Sequence, residues 1–281
     1  MQLHDFSSVV LQYKVVCFDA YGVLKNHKGI IPGVQNTIHF LQQHNIDFYI
    51  LTNDASRSPQ QLADGYQQRG IPEITANKMI SSGMMAWEFL RDKVDHGTVA
   101  YLGTSRSAHY VEDAGLKTVS IRDLDIDHAD SINALVLLDD EGFNWETDLN
   151  KAVNLLRARN IPVIVANSDY TYPTSRNQVA IAVGGLADML EKLVGKTFIR
   201  FGKPDSQMFT FAYNHIRQEQ EIRKRDILMV GDTLRTDILG GNKFGIDTVL
   251  VLTGNTLSLK AQQMIERTGI IPDYICQSVV I

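Results

Sequence analysis

The sequence predicts an α/β protein built on a parallel sheet, with a second α/β unit inserted into it, and three observations lead there. Four short apolar runs each end on polar residues: Val15 to Phe18 before Asp19, Phe48 to Leu51 before Thr52 and Asn53, Ile161 to Ala166 before Asn167, and Ile227 to Val230 before Gly231 and Asp232. Short runs that are apolar throughout, with no alternation, mark strands buried on both faces. Helical patterns lie between the runs, and alternating strand and helix gives a sheet covered by helices. The length, 281 residues, corresponds to roughly two domains or to one domain carrying a large insertion.

Taken in order, Val15 to Phe18 opens the first sheet, Val34 to Gln43 is a helix, and Phe48 to Leu51 is the next strand. Ser58 is placed to cap a helix over Pro59 to Arg69. A second series follows: a strand over Thr98 to Leu102, a helix from Ser105, a strand over Ala134 to Leu138, a helix from Thr147, and a strand over Pro162 to Ala166. Its own alternation predicts a separate small sheet. The boundaries fall near Ile80 and Lys196, so residues 1–80 and 197–281 form one discontinuous domain and residues 81–196 the insertion. Ile227 to Val230 returns to the first sheet, and Thr236 to Lys243 is helical.

Composition narrows the function. Hydrophobic residues make up 44% and charged residues 21%, the profile of a folded globular chain. Lys plus Arg is 27 and Asp plus Glu 32, so the net charge is 27 − 32 = −5, and no basic run offers a nucleic-acid footprint. No apolar stretch approaches the roughly 20 residues that span a bilayer. Met1 to Lys14 does not read as a signal peptide. Only Cys17 and Cys276 are present, too few for a disulfide framework. The expectation is a cytoplasmic protein with neither nucleic-acid nor membrane partners.

In open parallel sheets the ligand lies beyond the carboxyl ends of the strands. Asp19, Thr52, Asn53 and Asp232 fall there, which makes them site candidates by position. Two carboxylates meeting at a sheet edge repel one another unless a cation joins them. Magnesium suits such a place, since it takes one or two carboxylates, a carbonyl and waters, and leaves a position for a phosphate oxygen. Gly22 permits a sharp turn after the first strand. Lys203 offers a point cation, and Thr52 with Asn53 offers a hydroxyl and backbone N–H groups suited to an oxyanion.

At these residues the chain resembles the haloacid dehalogenase (HAD) superfamily, and within it the NagD-like class IIA group, which has a Rossmann-like core and an inserted C2-type α/β cap. The first motif is Asp19-Ala20-Tyr21-Gly22-Val23-Leu24, and the second Leu51-Thr52-Asn53-Asp54-Ala55-Ser56-Arg57. The third is Gly202-Lys203-Pro204, and the fourth Gly231-Asp232-Thr233-Leu234-Arg235-Thr236-Asp237. The resemblance implies a magnesium-dependent phosphatase acting on a small phosphorylated metabolite, a sugar phosphate among the options. Asp19 would attack phosphorus to give an aspartyl-phosphate, a carboxylate being a known covalent nucleophile. Asp19, Asp232 and the backbone carbonyl of Tyr21 would hold magnesium. Thr52, Asn53 and Lys203 would bind the phosphoryl group, and Asp237 would support Lys203 or a metal-bound water. Asn167 and Asp169 align with the cap segment that contacts substrate, although the same pair also suits an Asx-turn. Members of the group often pair through their caps.

The first motif departs from the phosphatase pattern. Two residues after the nucleophile those enzymes carry an aspartate, the general acid and base, and this chain has Tyr21. A phenol of ordinary pKa about 10 can donate a proton at neutral pH but is a poor base. The expectation is therefore slow hydrolysis of the intermediate. A catalytically weakened phosphate-binding or regulatory protein stays open as an alternative, and a dehalogenase-like hydrolase as a further one. Tyr21 also suits a packing aromatic that closes the site.

Overall fold

The computed structural model describes residues 2–94, 96–175 and 178–281. Two parallel sheets organise it. The first contains β1 (Val15–Phe18), β4 (Asp47–Thr52), β5 (Met79–Ser81), β13 (Ile227–Gly231), β14 (Asp247–Val251) and β15 (Tyr274–Cys276), in the order β15-β14-β13-β1-β4-β5. Every residue of β1 and β13 is buried, which is why their sequences are apolar throughout. β1 pairs with β13 on one side and β4 on the other, Cys17 lying opposite Met229 and Tyr49. The chain departs from β1 in opposite directions across the sheet, so the crevice that such a reversal leaves opens at its carboxyl end. Asp19 occupies that position.

The second sheet contains β6 (Thr98–Leu102), β7 (Lys117–Ser120), β8 (Ile132–Leu137), β9 (Val163–Val165) and β12 (Ile199–Arg200), in the order β12-β9-β8-β6-β7, all parallel. It lies between β5 and β13 in the chain, and its core of Leu102, Leu135, Leu137, Leu155, Val165 and Leu186 is its own. Residue 80 lies inside β5, and Ile199 and Arg200 pair with Ile164 and Val165, so the second sheet reaches past residue 196. The helix Ser82–Lys93 leads from one sheet to the other and buries Met85, Ala86 and Leu90 in a cluster shared by both.

Local chemistry explains the remaining elements. Ser58 caps the helix Pro59–Gln67 in a reciprocal capping box with Gln61. The helix expected from Ser105 is one turn, His109–Glu112, and the helix expected over residues 236–243 opens as a π-helical turn, Leu234–Ile238, before Leu239–Phe244. The strand expected over Ile161 to Ala166 is confined to β9, Val163–Val165. Two small hairpins complete the chain: β2 (Lys25–Asn26) with β3 (Gly29–Ile30), and β10 (Thr171–Ser175) with β11 (Gln178–Ile181). β10 and β11 escaped the sequence reading because they are mostly exposed and carry Pro173, so no apolar periodicity marks them. No helix among the described residues is long and apolar enough to cross a membrane.

Candidate active site

The carboxyl ends of β1, β4 and β13 meet the loop that follows β12 around one cavity of about 540 Å³, lined by Asp19, Tyr21, Thr52, Lys203 and Asp232 from the first sheet's side and by Asn167 and Asp169 from the second. Asp19 is held where β1 ends by its own N–H, which donates to Val230 O at 2.8 Å. Gly22 then turns the chain at φ +87°, and a Cβ there would lie 2.2 Å from Asp232 Oδ2. Only glycine allows Asp232 this close to the first loop.

Lys203 is the internal cation of the site. It is 2% exposed, and its Nζ lies 2.6 Å from Asp19 Oδ1 and 2.7 Å from Asp237 Oδ1. Burial pulls the ammonium down, but the carboxylates of Asp19, Asp237 and Asp169 outweigh it and raise its pKa, so it stays charged. Asn53 aims this lysine. Its Oδ1 accepts from Lys203 N–H at 2.7 Å, and its Nδ2 donates to Lys203 O at 3.1 Å and to Asp169 Oδ1 at 2.9 Å. The Asn53 amide is thus committed to protein partners, and Asn53, 1% exposed, does not itself line the cavity. Gly202 accommodates the clamp, having φ +116° and Asn53 Oδ1 2.6 Å from where its Cβ would be.

Carboxylate oxygens of Asp19, Asp232 and Asp237 lie within 4.8 Å of one another. Burial, with Asp19 and Asp237 adding like charge, raises the Asp232 pKa well above the carboxylate range. Burial also raises Asp237, against the opposing pull of Lys203. Three carboxylates facing one ammonium leave an excess of negative charge in a buried place, which a hard divalent cation with oxygen ligands would relieve. The residues present therefore fit magnesium.

The Tyr21 side chain reaches the second unit. Its hydroxyl donates to Pro173 O at 2.5 Å, joining the loop after β1 to β10. Burial first and Asp232 second raise its pKa, so the phenol keeps its proton and spends it on that carbonyl. The packing role read from the sequence therefore has a definite form, a joint between the two units. Asn167 and Asp169 do form the Asx-turn, Asp169 N–H donating to Asn167 Oδ1 at 2.8 Å, and they face the same cavity as Asp19.

Other residues of the cavity wall were given no role from the sequence: Lys25, Arg106, Asp139, Asp140 and Tyr172, with Arg57 and Arg235 of the second and fourth motifs. Tyr172 donates to Asp140 Oδ2 at 2.8 Å, and burial with Asp140 alongside pushes Asp139 up to about 6. Asp139 follows β8 much as Asp19 follows β1, so the strand-end rule applied to the second sheet would have found it. Arg57 and Arg106 come from loops without periodicity and left no such signal.

Comparison with known proteins agrees with this geometry. The model for haloacid dehalogenase-like hydrolases matches residues 16–117, and a HAD-hydrolase-like model matches residues 200–280. A possible sugar phosphatase of the HAD superfamily from Cytophaga hutchinsonii is 58% identical, with a TM-score of 0.96 over 100% of this chain and 99% of that one. The ribonucleotide monophosphatase NagD of Escherichia coli K12 is 29% identical over 85% of this chain and 87% of its own. A glycerol phosphate phosphatase from Mycobacterium tuberculosis, solved in complex with magnesium, is 25% identical with a TM-score of 0.77 over 99% of this chain and 78% of that one. A whole-chain match at 58% identity, and one cavity that gathers the ends of three core strands around Lys203, lead to a single assignment: the chain belongs to the haloacid dehalogenase superfamily, in its NagD-like group of phosphatases.

Proposed function

We propose that this protein is a phosphoric monoester hydrolase for a small phosphorylated metabolite, working through an aspartyl-phosphate on Asp19. The observation that carries the reading is the placement of the Asp19 carboxylate 2.6 Å from a buried lysine ammonium at the mouth of the crevice. Phosphoryl transfer needs in-line positioning and neutralised charge more than covalent help from the protein. Asp19 supplies the attacking oxygen. Lys203 and Thr52 line the same cavity and would bind the phosphoryl oxygens, and the Asn53 N–H would join them. Asp19, Asp232 and the Tyr21 carbonyl would hold magnesium, which when bound neutralises the phosphate and the surrounding carboxylates. Asp237 positions Lys203 through their 2.7 Å ion pair.

The wall from the second unit sets the substrate by shape and charge. The 58% identical possible sugar phosphatase from Cytophaga hutchinsonii supports a polyol or sugar leaving group. A homodimer formed through the inserted unit is consistent with the exposed apolar side chains of Val179, Ile181, Met189 and Leu193 on it. The cytoplasm is the proposed location.

One observation favours a second reading, a phosphate-binding regulatory protein: position 21 brings no carboxylate, and its hydroxyl is committed to Pro173. Release of phosphate from p-nitrophenyl phosphate, measured with and without magnesium and beside halide release from a 2-haloacid, separates these readings from a dehalogenase. Magnesium-dependent turnover that Asp19→Asn abolishes is the expected result. Tight phosphate binding without turnover would replace the enzyme by the binding protein.

A further inference from the structure

Hydrolysis of an ester through Asp19 needs a group that protonates the leaving oxygen and later takes a proton from water, and Tyr21 does not supply it. Asp169 enters the same cavity from the opposite unit. Its Oδ1 is fixed by Asn53 Nδ2 at 2.9 Å, while Oδ2 makes no hydrogen bond among the described residues. Its backbone is fixed as well, N–H by Asn167 Oδ1 at 2.8 Å and carbonyl by Gly184 N–H at 2.8 Å. The same Asn53 amide that holds Asp169 also holds the backbone of Lys203, whose ammonium touches Asp19. The nucleophile and the Asp169 carboxyl are thus indexed to each other through two residues, across the space a phosphoryl group would fill.

Resting on the phosphatase reading, we propose that Asp169 is the general acid and base of the reaction, in place of the carboxylate that position 21 lacks. In the first step an Asp19 oxygen bonds to phosphorus as the bond from phosphorus to the ester oxygen breaks. That oxygen keeps the electron pair and takes the Asp169 proton, leaving as the alcohol. In the second step the Asp169 carboxylate takes a proton from water while the water oxygen bonds to phosphorus. The bond from Asp19 to phosphorus breaks, and inorganic phosphate leaves with both carboxyl groups restored. The charged groups that act on Asp169 are Lys203, Asp19, Asp54 and Asp237. Burial, against the pull of Lys203 and with Asp19 adding to it, pushes Asp169 up to about 6, where a carboxyl group both gives and takes protons near neutrality.

Asp169→Asn keeps the oxygen that accepts from Asn53 and removes only the proton-carrying function. In the presence of magnesium, kcat/KM for glycerol phosphate should fall by about 10²–10⁴, the usual worth of general acid–base catalysis. For p-nitrophenyl phosphate, whose phenolate leaves without a proton, kcat/KM should fall less than about tenfold under the same reasoning. Its kcat should fall steeply, with a burst of one nitrophenol per active site as the phosphorylated Asp19 accumulates. Equal losses on both esters, or no loss, would overturn the assignment. A wild-type protein inactive on both would overturn the phosphatase reading itself, so the two failures are distinguishable. Should the variant not fold, wild type decides alone across aryl phosphates: a shallow dependence of kcat/KM on phenol pKa supports proton donation, and a steep one refutes it.

Discussion

The Tyr21 hydroxyl donates to the Pro173 carbonyl at 2.5 Å, tying the loop that follows Asp19 to the hairpin of the inserted unit. Since burial and Asp232 both raise the Tyr21 pKa, the donor stays protonated at neutral pH and the joint persists. The aromatic side chain thus serves the contact between the two units.

Tyr21→Phe should therefore cost about 1 kcal/mol, the net worth of one hydrogen bond, seen as a fall of about 2–4 °C in Tm. Turnover of p-nitrophenyl phosphate should change less than about tenfold, well short of the loss that removing a general acid brings, with KM rising as the joint loosens. Steady-state kinetics at saturating magnesium check this, and a fall in kcat of a hundredfold with unchanged stability would return Tyr21 to the chemistry.

Asp232→Asn should weaken magnesium binding and lower activity together. Removing even an outer partner of a metal ligand typically costs 10–100-fold in affinity, so about that much is the lower bound here. At magnesium a hundred times its Kd, wild type should gain about 2.7 kcal/mol of stability, and the variant should lose most of that gain. Isothermal titration calorimetry reads the affinity and thermal unfolding the gain; undiminished binding would remove Asp232 from the ligand set.

Asp139 carries a pH prediction. Its folded-state pKa stands at about 6, pushed there by burial and by Asp140, above the unfolded value of about 3.9. A raised carboxyl pKa means that the folded state holds the proton more tightly, so stability falls as pH rises from about 4 to about 6 and then levels off. By linkage the full effect is at most about 3 kcal/mol, and solvent reaching the cavity wall reduces it to about 1 kcal/mol. Asp139→Asn should match or trail wild type at pH 4 and gain on it by about that amount at pH 7. Urea denaturation at the two pH values measures the difference, and a constant offset would show that Asp139 does not couple folding to protons.

The alternation of buried strands and helices was legible in the sequence because apolar runs and helical periodicity are local. For the same reason the strand-end residues Asp19, Thr52, Asn53 and Asp232 could be named as a group, since the end of a parallel strand dictates where its next side chain goes. Lys203 could be offered as a cation, but nothing local distinguishes a buried lysine from a surface one, and Asp237 needed the resemblance to a known family. The exposed hairpin around Pro173 left no pattern at all.

By itself the sequence determined the two sheets, the order of their main strands along the chain and the strand ends that meet at one edge of the first. Only the tertiary structure decided what each side chain does there. Asn53 sets Lys203 from 150 residues away, and Tyr21 reaches Pro173 across 152. Such contacts depend on how one unit is docked on the other, and docking is fixed by the summed packing of many residues, which no local periodicity records.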